Sequence, residues 1–144
     1  MNVSADNSFS TFEFNSKGVI ELAIAEGASL KIEKLTTKNG VKSISNAEIV
    51  FYDYNADAFL LEDSTLTAED DRLYIPSVDS YIKLTAYDEA GNLLVGDWVY
   101  DWSEELGVGK LVLNAVPEPE AAAVLLGVLA LALAARRKKS NFLY

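Results

Sequence analysis

An uninterrupted apolar run, Ala121–Ala135, restricts what this chain can fold into more than any other stretch. It carries no charged or polar side chain. As a helix it would be about 22 Å long at ~1.5 Å per residue, short of the ~30 Å hydrocarbon core of a bilayer. Length alone therefore leaves two readings, a buried core helix or a membrane span. The angular pattern separates them. A surface helix has one apolar stripe, whereas this one is apolar all the way round. Burying it in a soluble protein needs neighbours on every side, and the rest of the chain offers no second strong helix. A bilayer supplies those neighbours, and thinning and snorkelling side chains make up the missing length. The run is expected to be a transmembrane helix.

Its flanks agree. Glu118 and Glu120 precede the helix at its positive dipole end, and Arg136, Arg137, Lys138 and Lys139 follow at its negative end. Four basic residues directly after an apolar run read as a stop-transfer signal that stays cytoplasmic, leaving the first 120 residues on the far side of the membrane. A solvated tail or a basic nucleic-acid patch is the weaker reading. Before the helix, Val116-Pro117-Glu118-Pro119 holds two prolines that fix φ, remove amide donors and push their predecessors to extended geometry. A stiff, exposed, non-helical segment beside a membrane suits a protease; the plainer alternative is a linker.

Val116-Pro117-Glu118-Pro119, then the apolar run containing Leu125-Leu126-Gly127, then Arg136-Arg137-Lys138-Lys139, resembles in its order the PEP-CTERM sorting signal of Gram-negative bacteria. The resemblance covers only this C-terminal stretch. Glu120, where many members carry a small hydroxyl residue, and the extra Ser140–Tyr144 are departures that leave the pattern intact. It implies an exported protein held briefly by its C-terminal helix and cut near Pro-Glu-Pro by exosortase, a membrane-embedded transpeptidase-like enzyme. The precursor would sit in the cell membrane with most of its chain non-cytoplasmic. The mature form would reach the cell surface or the extracellular matrix, often of biofilm or floc. The signal implies nothing about the fold or activity of the cargo.

Charge and composition narrow the cargo's chemistry. The first 120 residues hold all 22 acidic residues but only 8 of the 12 basic ones, giving a net charge near −14. That argues against nucleic acid or anionic lipid as a partner. The absence of Cys excludes disulfide staples and thiol chemistry, and the absence of His removes the commonest general base and metal ligand. Cofactors are not expected.

The N-terminus is polar and lacks the basic and apolar regions of a signal peptide, although Val3-Ser4-Ala5 is spaced like the end of a cleavage site. Either an upstream start supplies the leader or the spacing is chance. From Phe9 onward the pattern is strand after strand. Phe12–Phe14, Val19–Ile24, Leu30–Glu33, Glu48–Tyr54, Ala58–Leu61, Leu73–Ile75, Tyr81–Tyr87, Leu93–Trp102 and Lys110–Leu113 all read as β. Val50, Tyr52 and Tyr54 are placed on one side of their strand. Asn39-Gly40 is a two-residue hairpin signal, Asp88–Asn92 a longer hairpin loop, and Pro76 ends a strand. About eight or nine short strands with this alternation predict an all-β, antiparallel β-sandwich. The chain then divides into a polar N-terminus (1–8), a β-sandwich domain (9–114), a Pro-Glu-Pro linker (115–120), a transmembrane helix (121–135) and a basic cytoplasmic tail (136–144).

Within the domain, Trp98, Tyr100 and Trp102 share one face of a strand. Flat aromatic rows stack on sugar rings, but Asp97, Val99 and Asp101 occupy the opposite face, so core packing is the stronger reading. The face of Tyr81, Lys83, Thr85 and Tyr87 is a second sugar-contact candidate beside a plain solvated face. Glu62-Asp63 and Glu69-Asp70-Asp71 lack the spacing of a calcium loop and read as solvated charge. No nucleophile motif, phosphate-cradling glycine loop or metal-ligand cluster is present, and catalysis is not expected. The sequence thus points to a non-catalytic exported β-domain with a sorting signal. The alternative is a single-pass protein that keeps its anchor and binds polysaccharide or another ligand.

Overall fold

The computed structural model describes residues 1–15, 17–37 and 47–115, together with Leu131. The chain is mostly β, built from two mixed sheets. In order the strands are β1 (Asn2–Val3), β2 (Asn7–Phe14), β3 (Val19–Ile24), β4 (Leu30–Thr37), β5 (Glu48–Tyr52), β6 (Phe59–Leu61), β7 (Thr67–Glu69), β8 (Arg72–Ile75), β9 (Ser80–Tyr87), β10 (Leu93–Leu94), β11 (Gly96–Ser103) and β12 (Val108–Ala115). The seven-stranded sheet runs β1-β3-β5-β9-β8-β7, with β10 also paired to β9. The five-stranded sheet runs β11-β12-β6-β4-β2.

The antiparallel expectation is corrected. Of the ten strand pairings described, five are parallel: β1 with β3, β2 with β4, β3 with β5, β4 with β6 and β5 with β9. The cause lies in the connections. From β1 to β6 each successive strand lies in the other sheet. A chain that goes up in one sheet and down in the other returns to the first sheet in its original direction, so neighbours there run parallel. Only from β7 on does the chain fold back within a sheet, giving the antiparallel pairs β7–β8, β8–β9, β9–β10 and β11–β12. Asn39-Gly40 lies outside the described residues, and the strands either side of it, β4 and β5, belong to different sheets.

The strand count is also larger than expected. β1 and β7 were not anticipated, and the segment Leu93–Trp102 is two strands in two sheets, broken at Val95. Strands begin before residue 9. The Ala23 and Ala25 amides donate to the Met1 and Val3 carbonyls, and Val3 is buried in the core. A cut after Ala5 would therefore remove β1 and a core side chain with it.

One core lies between the sheets. Leu22, Ile49, Leu73 and Ile82 come from the seven-stranded sheet and Leu30, Ile32, Leu61 and Leu111 from the five-stranded one, all essentially fully buried. Phe51 of β5 joins the two layers, with ring centroids 5.2 Å from Phe59 and 5.9 Å from Trp98. Such aromatic pairs add about 0.5–1.5 kcal/mol each beyond area burial. β8 stops at Ile75 because Pro76 has no amide to offer a ladder, and a 3-10 turn follows at Pro76–Val78. Among the described residues no helix is long and apolar enough to cross a membrane. Residues 116–120 of the linker, the basic cluster and all of 121–135 except Leu131 fall outside them, while Ala115 belongs to β12.

Candidate functional site

The most developed surface is the outer face of the seven-stranded sheet, centred on β9. Its burial alternates strictly along the strand: Ser80, Ile82, Leu84 and Ala86 point inward, while Tyr81, Lys83, Thr85 and Tyr87 point outward. Pairing with β5 on one side and β8 on the other builds rungs across this face. Lys83 stands between Glu48 and Arg72, and Thr85 lies beside Val50, which in turn neighbours Glu21.

Tyrosines occupy both ends of the face. Tyr74 and Tyr81 are cross-strand partners with ring centroids 4.9 Å apart, and the Arg72 guanidinium lies 4.7 Å from the Tyr81 ring centre. At the other end Tyr52 and Tyr87 stack with centroids 5.5 Å apart and planes 12° from parallel. Carboxylates fix two of these rings. The Tyr52 hydroxyl donates to Glu21 Oε1 at 3.1 Å and the Tyr74 hydroxyl to Asp79 Oδ1 at 2.7 Å. Each hydrogen bond holds its phenol proton, raising the pKa above the ordinary tyrosine value. In the polar band between, Thr85 Oγ1 donates to Glu48 Oε1 at 2.6 Å.

A cleft of about 350 Å³ opens beside β9, lined by Glu48, Asp71, Lys83, Thr85, Tyr87 and Leu93 among others. It arises because β8 covers β9 only as far as Lys83 and β10 rejoins it only at Ala86. The gap between them is spanned by the Leu84 amide, which donates to the Asp71 carbonyl at 2.7 Å. The arrangement offers aromatic faces, a hydroxyl, carboxylates and a cation on one rigid sheet. These are groups that can hold a ligand.

The other aromatic row is placed differently. Trp98 is 3% exposed and packs edge-on to Tyr54 at 5.3 Å. Tyr100 is half-buried, its hydroxyl donating to the Asp63 and Leu61 carbonyls at 2.6 and 3.2 Å. Burial is the main cause, and the Asp63 carboxylate a second, of a pKa well above the tyrosine range. The Trp102 indole N–H is buried without an acceptor among the described residues. Asp97, Val99 and Asp101 are exposed. Trp98 is thus a core residue, in line with the stronger reading of this row, and not a surface platform. Tyr54 is corrected too: the strand ends at Tyr52, Asp53 takes a left-handed φ of 50°, and Tyr54 turns inward to donate its hydroxyl to the Leu111 carbonyl at 2.6 Å.

The Glu62-Asp63 pair is committed locally. Glu62 pairs with Lys31 at 3.0 Å, and Asp63 accepts from the amide and hydroxyl of Thr65. Among the described residues no three acidic groups converge as metal ligands. A cavity of about 740 Å³ at one end of the sheets is lined by Glu26, Asp53, Asn55 and Glu89 among others. It is built mostly from loops, with Tyr54 the one aromatic residue in its lining. Sequence reasoning found Tyr81, Lys83, Thr85 and Tyr87 but missed Tyr52, Tyr74, Glu48 and Arg72 as their neighbours. The sorting residues Val116–Pro119 and Arg136–Lys139 lie outside the described residues.

The chain matches no protein-family model, and neither the curated proteins nor the solved structures yield a match.

Proposed function

We propose that this is an exported, non-catalytic protein of the cell surface or extracellular matrix, sorted through a PEP-CTERM signal at its C-terminal end. The apolar run Ala121–Ala135 crosses the membrane as a helix in the precursor. Arg136, Arg137, Lys138 and Lys139 remain cytoplasmic, and exosortase cuts near Val116–Pro119. What carries the reading is the ordered combination of triplet, apolar run and basic cluster in the sequence. The fold is compatible with it: every described strand, β12 (Val108–Ala115) included, lies before Val116. A cut in the triplet would spare every described strand, so the released domain would keep its core.

The intact mass of the native protein from surface and secreted fractions tests this. A C-terminus between Val116 and Pro119 is the expected result. A mass that still includes Ala121–Tyr144 would leave instead a permanently anchored β-domain.

A further inference from the structure

We infer that the outer face of the seven-stranded sheet, with the cleft beside β9, binds an extended neutral polysaccharide. The two tyrosine pairs mark the ends of the surface. Tyr81 and Tyr87 are six positions apart on one strand, about 20 Å at ~3.3 Å per residue, which is room for several sugar rings in line. Tyr52 and Tyr81 keep 40% and 42% of their surface exposed although both are large aromatics. Exposed aromatic bodies with wet hydroxyls are the side chains that bind at low entropic cost. Glu21 and Asp79 hold the Tyr52 and Tyr74 rings in place before any ligand arrives, and Arg72 lies against Tyr81.

Between the ends, Glu48, Thr85 and Lys83 present acceptors and donors to a hydroxyl-rich chain. Lys83 has no carboxylate within ion-pair distance among the described residues, which leaves its ammonium available. The cleft supplies the concavity into which one ring or substituent can sink.

Charge selects among occupants. The face carries Glu21, Glu48, Asp71 and Asp79 against Arg72 and Lys83, on a domain already strongly acidic. A polyanionic glycan or a second copy of this chain would meet like charge, whereas a neutral glycan meets none. This inference does not depend on whether the C-terminal segment is processed.

The test is isothermal titration of the full chain in detergent micelles with cellohexaose, mannohexaose, xylohexaose and chitohexaose, with hexamannuronate as the anionic comparison. At least one neutral hexasaccharide should bind saturably and hexamannuronate should not. Tyr81→Ala and Tyr87→Ala should each weaken binding about tenfold, as loss of an aromatic anchor does. Leu106→Ala, in the turn between β11 and β12, should leave it unchanged. In the wild-type chain the bound sugar should also protect Tyr52 and Tyr81 from acetylation by N-acetylimidazole, a readout that needs no variant to fold. No neutral binding, undiminished binding by the two tyrosine variants, absence of protection, or preference for hexamannuronate would each overturn the inference. Sugar binding by a chain whose native mass retains Ala121–Tyr144 would keep the site and discard the sorting reading; the reverse result would do the opposite.

Discussion

β9 and β11 carry the same kind of signal and use it in opposite ways. Each places aromatic side chains on one face of an eight-residue strand. On β9 the aromatic face looks out to solvent; on β11 it looks into the core. The residues in between decide. β9 alternates its tyrosines with Ile82, Leu84 and Ala86, which claim the interior at 0–2% exposure. β11 alternates its aromatics with Val99 and with Asp97 and Asp101, whose carboxylates cannot be buried unpaired without a large desolvation cost. An aromatic row therefore does not announce a binding platform. The face behind it says whether the rings are free to be one.

Four substitutions test this contrast, from the largest effect to the smallest. Trp98→Ala should cost about 3–5 kcal/mol in chemical denaturation, because it empties a site packed against Phe51 and Tyr54. A cost under about 1 kcal/mol, the range of an exposed position, would make β11 an outward face after all.

Gly109→Ala probes the same side of β11. A Cβ there would lie 2.2 Å from the Tyr100 ring, which its hydroxyl bonds hold in place. Overpacking of this kind costs about 1–3 kcal/mol. The penalty should largely vanish in a Tyr100→Ala background, a coupling that a double-mutant cycle reads directly.

Tyr100→Phe should cost about 1 kcal/mol at neutral pH by removing the bonds to the Leu61 and Asp63 carbonyls. It should also change the alkaline behaviour. The folded chain holds the Tyr100 proton more tightly than the unfolded chain does. That contribution is fully present below the ordinary tyrosine value near 10 and is lost as pH rises above it. Denaturation of wild type and variant between pH 9 and 11 should show a shallower decline for Tyr100→Phe, and parallel curves would refute the assignment. On β9, Tyr81→Ala should cost no more than about 1 kcal/mol, the worth of an exposed cross-strand contact with Tyr74 and Arg72. A thermal or urea midpoint that falls as far as that of Trp98→Ala would erase the distinction between the two strands.

The facing of side chains was legible in the sequence, and the pairing of strands was not. Period two told that Ile82, Leu84 and Ala86 share a face, and Val19–Ile24 was bounded by its own β-rich composition. Period two is blind to which strand comes next to which. The short connections at Ala25–Ser29 and Asp53–Ala58 cross from one sheet to the other, though their length would equally suit a hairpin. For the same reason the candidate surface was half visible. Tyr81 and Tyr87 lie on one strand and could be read together. Tyr52 and Tyr74 join them only through the β5–β9 and β8–β9 pairings. Tyr54 was misplaced because nothing in the alternation signals the left-handed turn at Asp53 that ends its strand.

The position of β12 has a mechanical consequence. It is an interior strand, in register with β11 over eight residue pairs and with β6 over two. A pull applied at its C-terminal end, along its length, slides it against both neighbours, so the ladder bonds are strained together instead of opening one after another. Force spectroscopy with the C-terminus attached should record one high rupture, and stepwise yielding would contradict it. Whatever that end is joined to, β12 transmits tension into the middle of the five-stranded sheet and not to its rim.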